Sequence, residues 1–306
     1  MGDTAAEGIA PRRRTGPRSG APVYAALTLH VLSSAGTFLV GKRTLLEIEP
    51  LAVLTSRFVL SAVLFCIILF AVPGPVLPPR AAWRRIWFLG FFAGPLNQGL
   101  FLWGLARSTP AHAALFYALA PLAVYLYALW RGQERPSPRR FAGIAIAVLG
   151  VTILLLGRGL RAAMGPLVGD LFILVAVAAW AVYTAEGKTF AEEHGVVRAT
   201  CWTLIAAAIW ILPCAPSVLA SRPFLSASPI ALAGIGYLVV VSSLLAYLLW
   251  YFALSRLPAS RVAVFSNLQP VVTALAAYWL LGEALNWEMA VGGALVLLGV
   301  RLTQTS

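Results

Sequence analysis

The sequence has few charged residues, and acidic residues are the scarcest of them. Of its 306 residues, 11% are charged, with 11 Asp and Glu against 23 Lys and Arg, while 60% are hydrophobic. Soluble domains carry about 25% charged residues and about 45 to 50% apolar ones. This chain therefore lacks the polar residues needed to cover a water-exposed surface, and we predict an integral membrane protein.

Motifs for catalysis, metal binding and nucleic-acid binding are also missing. No glycine motif of the Walker or dinucleotide-binding type is present, and no His, Cys or carboxylate residues have the spacing of a metal site. The net charge of +12 lies between apolar runs and forms no basic helix, so we expect no nucleic-acid partner. Cys66, Cys201 and Cys214 lie inside apolar stretches and are interpreted as small core residues. The sequence thus predicts no cofactor, no metal and no catalytic residue.

Ten apolar runs follow one another along the chain, separated by short segments rich in Arg, Pro and Gly. A membrane-spanning helix needs about 20 apolar residues, and each run is close to that length. We therefore predict an all-α integral membrane fold with ten transmembrane helices, preceded by a disordered basic tail over residues 1–21. The runs cover residues 22–41, 50–72, 84–106, 109–130, 139–157, 167–188, 197–219, 229–255, 258–281 and 285–302.

The distribution of Lys and Arg predicts the orientation of these helices. If the N-terminus lies in the cytoplasm, sixteen Lys and Arg residues fall on the cytoplasmic side and six on the outer side, with Arg57 left inside the second run. Cytoplasmic loops carry the excess of positive charge, so we expect both termini in the cytoplasm. Short loops and an Ala-rich composition with Arg favoured over Lys are typical of a GC-rich bacterium, which predicts a bacterial inner membrane.

The two halves of the chain resemble each other at an offset that drifts from 146 to 149 residues. We assign residues 22–157 to a first repeat and residues 158–306 to a second, each with five helices. Because five is odd, the second copy enters the membrane from the opposite side, as in the inverted repeats of secondary transporters. The matched pairs include Gly41 with Gly187, Trp103 with Trp250, Pro110 with Pro258, Pro121 with Pro270, Gly143 with Gly292, and Gly150 with Gly299.

The repeat also carries the residue pattern of a known family. A proline stands in the middle of the fourth and ninth helices, the run from Pro121 to Glu134 has a copy from Pro270 to Glu283, and Arg57-Phe58 lies in the second helix. Over about residues 22 to 302, this pattern resembles the EamA-type family of the drug/metabolite transporter superfamily. The resemblance implies a ten-helix metabolite exporter or permease whose central cavity is lined mainly by helices 1, 3, 4, 6, 8 and 9. It implies no particular substrate.

Three prolines in the middle of apolar runs are predicted hinges. Pro95, Pro121 and Pro270 lack an N–H, so the carbonyl four residues before each one loses its helical partner. An unpaired carbonyl is costly in lipid. We therefore expect these carbonyls to face a cavity, a neighbouring hydroxyl or a substrate, and the alternative is a kink that serves packing alone.

Polar and aromatic side chains stand around these prolines and form the predicted substrate cavity. Each of them either makes a hydrogen bond between helices or contacts the substrate, and the aromatic ones also suit the belts at the membrane surface. The predicted cavity residues are His30, Ser34, Asn97, Gln98, Tyr117, Trp180, Tyr183, Tyr247, Trp250, Ser266, Asn267 and Gln269.

Three ionisable side chains inside the runs are candidates for a gate or for energy coupling. His30 lies deep in the first run and suits proton coupling, although a neutral structural histidine fits equally well. Arg57 either snorkels to the outer surface or attracts an anionic substrate. Glu186 either is solvated at a helix end or belongs to an inner gate. His112, one turn into the fourth run, is expected at the membrane interface.

These observations predict a secondary transporter, either an exporter or a permease, that moves a small organic metabolite by alternating access. Transport is either proton-coupled or facilitative, the partners are the small-molecule substrate and the lipid bilayer, and the chain acts as a monomer or a homodimer. The alternative is a membrane-embedded enzyme that acts on a lipid or a lipid-linked headgroup. Such an enzyme needs clustered His, Asp or Glu near one surface, and Glu283 and Glu288 have no histidine close by in the sequence.

Overall fold

The structure, a computed structural model, describes residues 21–132, 136–156, 164–221, 223–256, 265, 268–284 and 286–304, and within these ranges it contains helices and no strand. Helices numbered in chain order are α1 (Ala21–Leu45), α2 (Pro50–Ala71), α3 (Trp83–Phe91, Phe92–Gly99 and Leu100–Arg107), α4 (Pro110–Tyr117 and Ala120–Trp130), α5 (Pro138–Leu156), α6 (Met164–His194), α7 (Val196–Ile211, extended by Leu212–Cys214 and Ala215–Ser221), α8 (Pro229–Tyr237, Leu238–Leu245 and Ala246–Leu254), α9 (Leu268–Leu281) and α10 (Trp287–Gln304).

Six of these helices are long and apolar enough to cross a membrane. They are α1, α2, α4, α6, α7 and α8, while α9 is apolar but shorter over its described residues. Large apolar side chains such as Phe70 and Trp279 are more than 70% exposed on the outside of the protein. An apolar exterior of this kind matches the lipid surroundings of a membrane protein.

Hydroxyl side chains followed by proline start two of the helices. The Thr109 hydroxyl accepts a hydrogen bond from the backbone N–H of His112, and Pro110 is the first residue of α4. The Ser228 hydroxyl accepts one from the N–H of Ala231 at the start of α8, where Pro229 follows it. A hydroxyl satisfies a free N–H at a helix start, and proline needs none there.

Helices α3 and α8 each contain a π-helical segment at the same place. The segments Phe92–Gly99 and Leu238–Leu245 lie 146 residues apart, which is within the range of offsets of the sequence repeat. Pro95 lies inside the first segment, whereas the second contains no proline. The wider π turn accommodates Pro95 within a continuous helix, and its recurrence in the second segment means that proline is not required for it.

Pro121 does more than kink its helix. Helix α4 is interrupted by a turn at Ala118 and Leu119, and a new helix starts at Ala120 with Pro121 in its first turn. The predicted run over residues 109–130 is thus one apolar span, Pro110–Trp130, with a short turn just before Pro121. A second difference concerns α6, which continues to His194 rather than ending at residue 188, because Gly195 with a φ of 84° makes the turn into α7.

Each helix of the first part of the chain packs against helices of the second part. Helix α1 lies against α8 and α9, and α6, which follows the middle of the chain, lies against α3 and α4. Helix α2 packs on α7, and α5 packs on α10. The contacts of α1 with α8 and α9 thus correspond to the contacts of α6 with α3 and α4, because α6, α8 and α9 occupy the same places in the second part of the chain as α1, α3 and α4 in the first.

Glycines bring α5 and α10 into direct backbone contact. A Cβ atom added to Gly150 would lie 2.6 Å from the Gly292 carbonyl oxygen, and one added to Gly299 would lie 2.5 Å from that of Gly143. Gly143 and Gly150 align with Gly292 and Gly299 in the sequence repeat. The contact of Gly150 with Gly292 is therefore repeated by the contact of Gly299 with Gly143, as expected for a two-fold contact.

Candidate functional site

Arg57 is the centre of a buried hydrogen-bond network between α2, α3 and α8. The side chain is 1% exposed. Its Nε donates to Ser243 Oγ at 2.8 Å, one terminal nitrogen donates to Gln98 Oε1 at 2.6 Å, and the other donates to Ser242 Oγ at 2.9 Å. The guanidinium does not reach the protein surface, so the snorkelling interpretation of Arg57 was wrong.

The amides predicted in α3 continue this network towards α4 and α6. Gln98 donates from Nε2 to Asn97 Oδ1 at 2.5 Å. Asn97 then donates from Nδ2 to the Tyr117 hydroxyl and to the Ala176 carbonyl, both at 2.8 Å. Asn97 is fully buried and Gln98 nearly so. The Asn97 amide thus joins α3 to α4 and α6. These amides make hydrogen bonds between helices, which was one of the two interpretations offered by the sequence.

Four predicted aromatic residues form a second cluster beside the network. The ring centroids of Trp180 lie 5.6 Å from Tyr183, 5.7 Å from Tyr247 and 6.2 Å from Trp250. Tyr247 and Trp250 are 6% and 8% exposed, so they are buried in the protein rather than in a belt at its surface. Within the part of the chain described, the Tyr247 hydroxyl and Trp250 Nε1 have no hydrogen-bond partner. An unused buried donor is costly, which makes these two atoms candidate contacts for a ligand.

His30 connects α1 to this aromatic cluster. Its Nδ1 lies 3.0 Å from the Ala246 carbonyl oxygen, and its Nε2 lies 3.3 Å from Ser34 Oγ. A carbonyl oxygen only accepts, so Nδ1 carries the proton and Nε2 of the neutral ring accepts from Ser34. The His30 ring lies 5.0 Å from that of Trp250. Both nitrogens of this buried imidazole therefore already have partners.

A further polar cluster lies where α1 ends and α4 and α6 begin. Lys42 Nζ donates to the carbonyls of Leu105, Ala106 and Ser108 at 2.8 to 3.1 Å. Asp170 is fully buried, accepts a hydrogen bond from Ser108 Oγ at 2.5 Å, and lies 3.7 Å from His112 Nδ1. His112 is thus buried against a carboxylate in the first turn of α4, and its predicted depth at the membrane interface stays a prediction.

Glu186 belongs to the opposite end of the bundle. Its Oε1 accepts a hydrogen bond from the Tyr127 hydroxyl at 2.6 Å and lies 3.6 Å from Arg131 Nε, while its backbone carbonyl accepts from Arg85. The Glu186 side chain is 22% exposed. It therefore links α4 to α6, and its predicted role at a gate stays a prediction.

The polar loop between α1 and α2 is fastened to the start of α8. The backbone N–H and the hydroxyl of Ser228 donate to the Glu47 carboxylate at 2.8 and 3.0 Å, and Arg43 donates to it at 2.6 Å. These hydrogen bonds lower the pKa of Glu47 from its ordinary value of 4.5, and those from Ser228 have the largest effect.

Most of the predicted cavity residues come together at this site. The hydrogen-bond network and the aromatic cluster with His30 together contain His30, Ser34, Asn97, Gln98, Tyr117, Trp180, Tyr183, Tyr247 and Trp250. Ser266 and Asn267 lie outside the described residues, and Gln269 is half-buried at the start of α9, next to buried Pro270.

Sequence reasoning missed several members of the site. Ser242 and Ser243 hold the Arg57 guanidinium, and Thr37 donates to Ser242 Oγ at 2.9 Å. Asp170 was missed because it lies only three residues into its apolar run. Ser242 and Ser243 could have been found from the sequence, because they are two adjacent serines inside the otherwise apolar second π segment. Within the described ranges, no group of three His, Cys, Asp or Glu residues is placed to hold a metal.

Apolar helices around a buried polar site define a multi-pass membrane protein. Residues 22–156 and 167–305 each match the EamA-like transporter family. The chain belongs to this family, as the sequence pattern indicated.

Several relatives of the chain are named as transporters. An uncharacterized transporter of Archaeoglobus fulgidus is 28% identical over 90% of this chain and 95% of its own length. The threonine/homoserine exporter RhtA of Salmonella typhimurium is 31% identical over 65% of this chain and 63% of its own length. A probable terminal-alkyne amino-acid exporter of Streptantibioticus cattleyicolor is 28% identical over 67% of each chain. The family and these names indicate membrane transport rather than catalysis.

Proposed function

We propose that the protein is a secondary transporter that moves a small organic metabolite across the membrane by alternating access. The observation that carries this proposal is the buried site between α1, α3, α6 and α8, where the Tyr247 hydroxyl and Trp250 Nε1 have no partner within the described residues. Buried polar groups within a membrane protein mark substrate and ion pathways, and unpaired donors have a use once a substrate supplies acceptors.

The proposed architecture is two inverted repeats of five membrane helices, ten in all. The swapped helix pairs and the crossed contacts of Gly143 with Gly299 and of Gly150 with Gly292 support it. Two such repeats can rock against each other and open the site to one side at a time. We expect both termini on the cytoplasmic side of a bacterial inner membrane, as the positive-inside count predicts.

Cysteine labelling in intact cells tests this topology. A cysteine at Arg222 should react with a membrane-impermeant maleimide added from outside, whereas one at Arg135 should react only after the cells are opened. Labelling of both positions from the same side would contradict the inverted repeat.

Counterflow into proteoliposomes tests the transport function. Amino acids belong first in the substrate panel because two relatives carry amino-acid exporter names. The Tyr247→Phe variant should slow transport several-fold, since it removes one ligand hydrogen bond worth about 1 kcal/mol. Tyr278→Phe removes a hydroxyl from a side chain that is 49% exposed on α9 and is the matched control. Equal slowing by both variants would place the substrate elsewhere.

Energy coupling by His30 is part of the same proposal, with facilitated diffusion as its alternative. His30→Gln keeps a polar side chain but removes titration, so it should abolish accumulation driven by a pH gradient and spare equilibration of the substrate. Gradient-driven transport with an unchanged pH profile in this variant would exclude His30 as the coupling residue. A wild type that ignores the pH gradient would favour facilitated diffusion.

A further inference from the structure

The Arg57 guanidinium is a buried positive charge, and the part of the chain that the structure describes gives it no negative partner. Its three hydrogen-bond acceptors, Ser242, Ser243 and Gln98, are all neutral. Among the described residues, no carboxylate forms an ion pair with it. An isolated buried charge is costly unless a counter-charge accompanies it. This arrangement favours an anion that is supplied from outside the protein.

The site around Arg57 is also rich in hydrogen-bond donors. A guanidinium has five N–H groups, and the described residues supply acceptors for three of them. Ser243, Tyr247 and Trp250 follow one another at helical spacing along α8, so they share one face of that helix. The Tyr247 hydroxyl and Trp250 Nε1, which have no hydrogen-bond partner among the described residues, therefore lie on the face that holds Arg57.

We propose that Arg57 binds the carboxylate of the transported metabolite, with the Tyr247 hydroxyl and Trp250 Nε1 as further donors to the same ligand. Arginine matches the planar fork of a carboxylate with two parallel hydrogen bonds, and one guanidinium balances one negative charge. The rings of Trp180 and Trp250 then contact the rest of the molecule. This assignment rests on the proposed transport function and adds the chemical class of its substrate.

Two kinds of metabolite carry such a carboxylate. A simple organic acid needs only the donors named above. A zwitterionic amino acid also needs a place for its ammonium group, and the faces of Trp180 and Trp250 offer cation–π contacts. The carboxylate is common to both, so the assay separates the two sources.

Counterflow of matched compounds by the wild-type protein in proteoliposomes is the first test. Each set has an amino acid, the amine formed by its decarboxylation and the acid that lacks its amino group, for example leucine, 3-methylbutylamine and 4-methylpentanoate. We expect transport of the acid or the amino acid and none of the amine. Acid transport identifies the organic-acid source, and transport of the amino acid alone identifies the zwitterion. Transport of amines equal to that of their amino acids would overturn the assignment but leave the transport function intact, whereas no transport in any set would contradict both.

Variants of Arg57 are the second test. Arg57→Gln should reduce transport of the carboxylate substrate by at least about tenfold, the effect of one lost charge-assisted hydrogen bond, and Arg57→Lys should retain part of it. Ser61→Ala is the matched control, because Ser61 is equally buried one turn further along α2 and lies 3.5 Å from the Val239 carbonyl.

Purification by size exclusion and thermal unfolding shows whether each variant is folded. Full transport by a folded Arg57→Gln protein would overturn the proposal. If Arg57→Gln does not fold, the result for the amines in the wild type still decides it.

Discussion

A methyl group added to Gly150 should push α5 and α10 apart. The new Cβ would lie 2.6 Å from the Gly292 carbonyl oxygen, 2.8 Å from the Val296 nitrogen and 3.0 Å from the Leu295 Cβ. Two of these atoms are backbone and cannot rotate away, so the helices themselves must separate. Overpacking of this kind costs about 1 to 3 kcal/mol, and the higher helix propensity of alanine returns about 0.8 to 1.0 kcal/mol. Since rigid backbone places the cost in the upper half of its range, we expect Gly150→Ala to lose about 1 to 2 kcal/mol.

The repeat supplies a second position for the same experiment. Gly299 corresponds to Gly150, and its added Cβ would lie 2.5 Å from the Gly143 carbonyl oxygen and 2.6 Å from the Ala147 nitrogen. A two-fold contact requires similar losses at both positions. Gly236 in α8 is the control, since an added Cβ there has nothing within 4 Å. Gly236→Ala should be as stable as the wild type or more stable.

Thermal unfolding of the purified protein in detergent measures these differences. For a chain of 306 residues, a loss of about 1 to 2 kcal/mol corresponds to a Tm lower by about 2 to 3 °C. If Gly150→Ala and Gly236→Ala unfold at the same temperature, the close approach of α5 and α10 does not stabilise the protein, and the reasoning fails. A large loss for Gly150→Ala with none for Gly299→Ala would refute the two-fold contact.

Three further outcomes follow from the hydrogen bonds. Asn97→Ala removes the donor to the Tyr117 hydroxyl and the Ala176 carbonyl and the acceptor of Gln98 Nε2, so transport per folded protein should fall several-fold; normal rates at matched protein levels would place the site elsewhere. Lys42→Met removes the donor from three carbonyls and should cost about 2 kcal/mol or more in a denaturation series, whereas Lys188→Met, at the corresponding repeat position, should cost less. Hydrogen bonds from Ser228 lower the pKa of Glu47. The ionised Glu47 carboxylate therefore contributes fully to stability above pH 4.5, and this contribution is lost as the pH falls through the lowered pKa. The Tm difference between wild type and Glu47→Gln should therefore vanish in acid, and a difference that grows there would be evidence against these contacts.

The extent of the helices could be predicted from local sequence because it depends on local chemistry. Runs without charge act within a few residues of the helix they specify, although the end of α6 was predicted at residue 188 rather than His194 because the residues that follow are mostly polar. The break at Ala118 and Leu119 was less accessible, since Pro121 is compatible with either a kink or a new start. The second π segment had no proline to mark it and depends on the helices around it.

The residues of the site were easier to predict than their contacts. Polar side chains in apolar runs are conspicuous, so Asn97, Gln98 and Arg57 could be selected from the sequence alone. Their partners could not, because Ser243 is 186 residues from Arg57 in the chain and Ala176 is 79 residues from Asn97. Only tertiary packing of α2 and α3 on α6 and α8 decides which polar groups meet.

The crossed glycine contact between α5 and α10 has a consequence for the ancestry of the chain. In a two-fold interface both partners contribute the same surface, so a single sequence specifies both sides of the contact. A half-length ancestor with one such helix would present, to a second copy inserted the other way up, the same close approach that Gly150 and Gly292 now make within one molecule. Fusion of two genes would then have preserved an existing interface and freed each copy to diverge, so that Arg57 is present in one half and Thr203 stands at the corresponding position in the other.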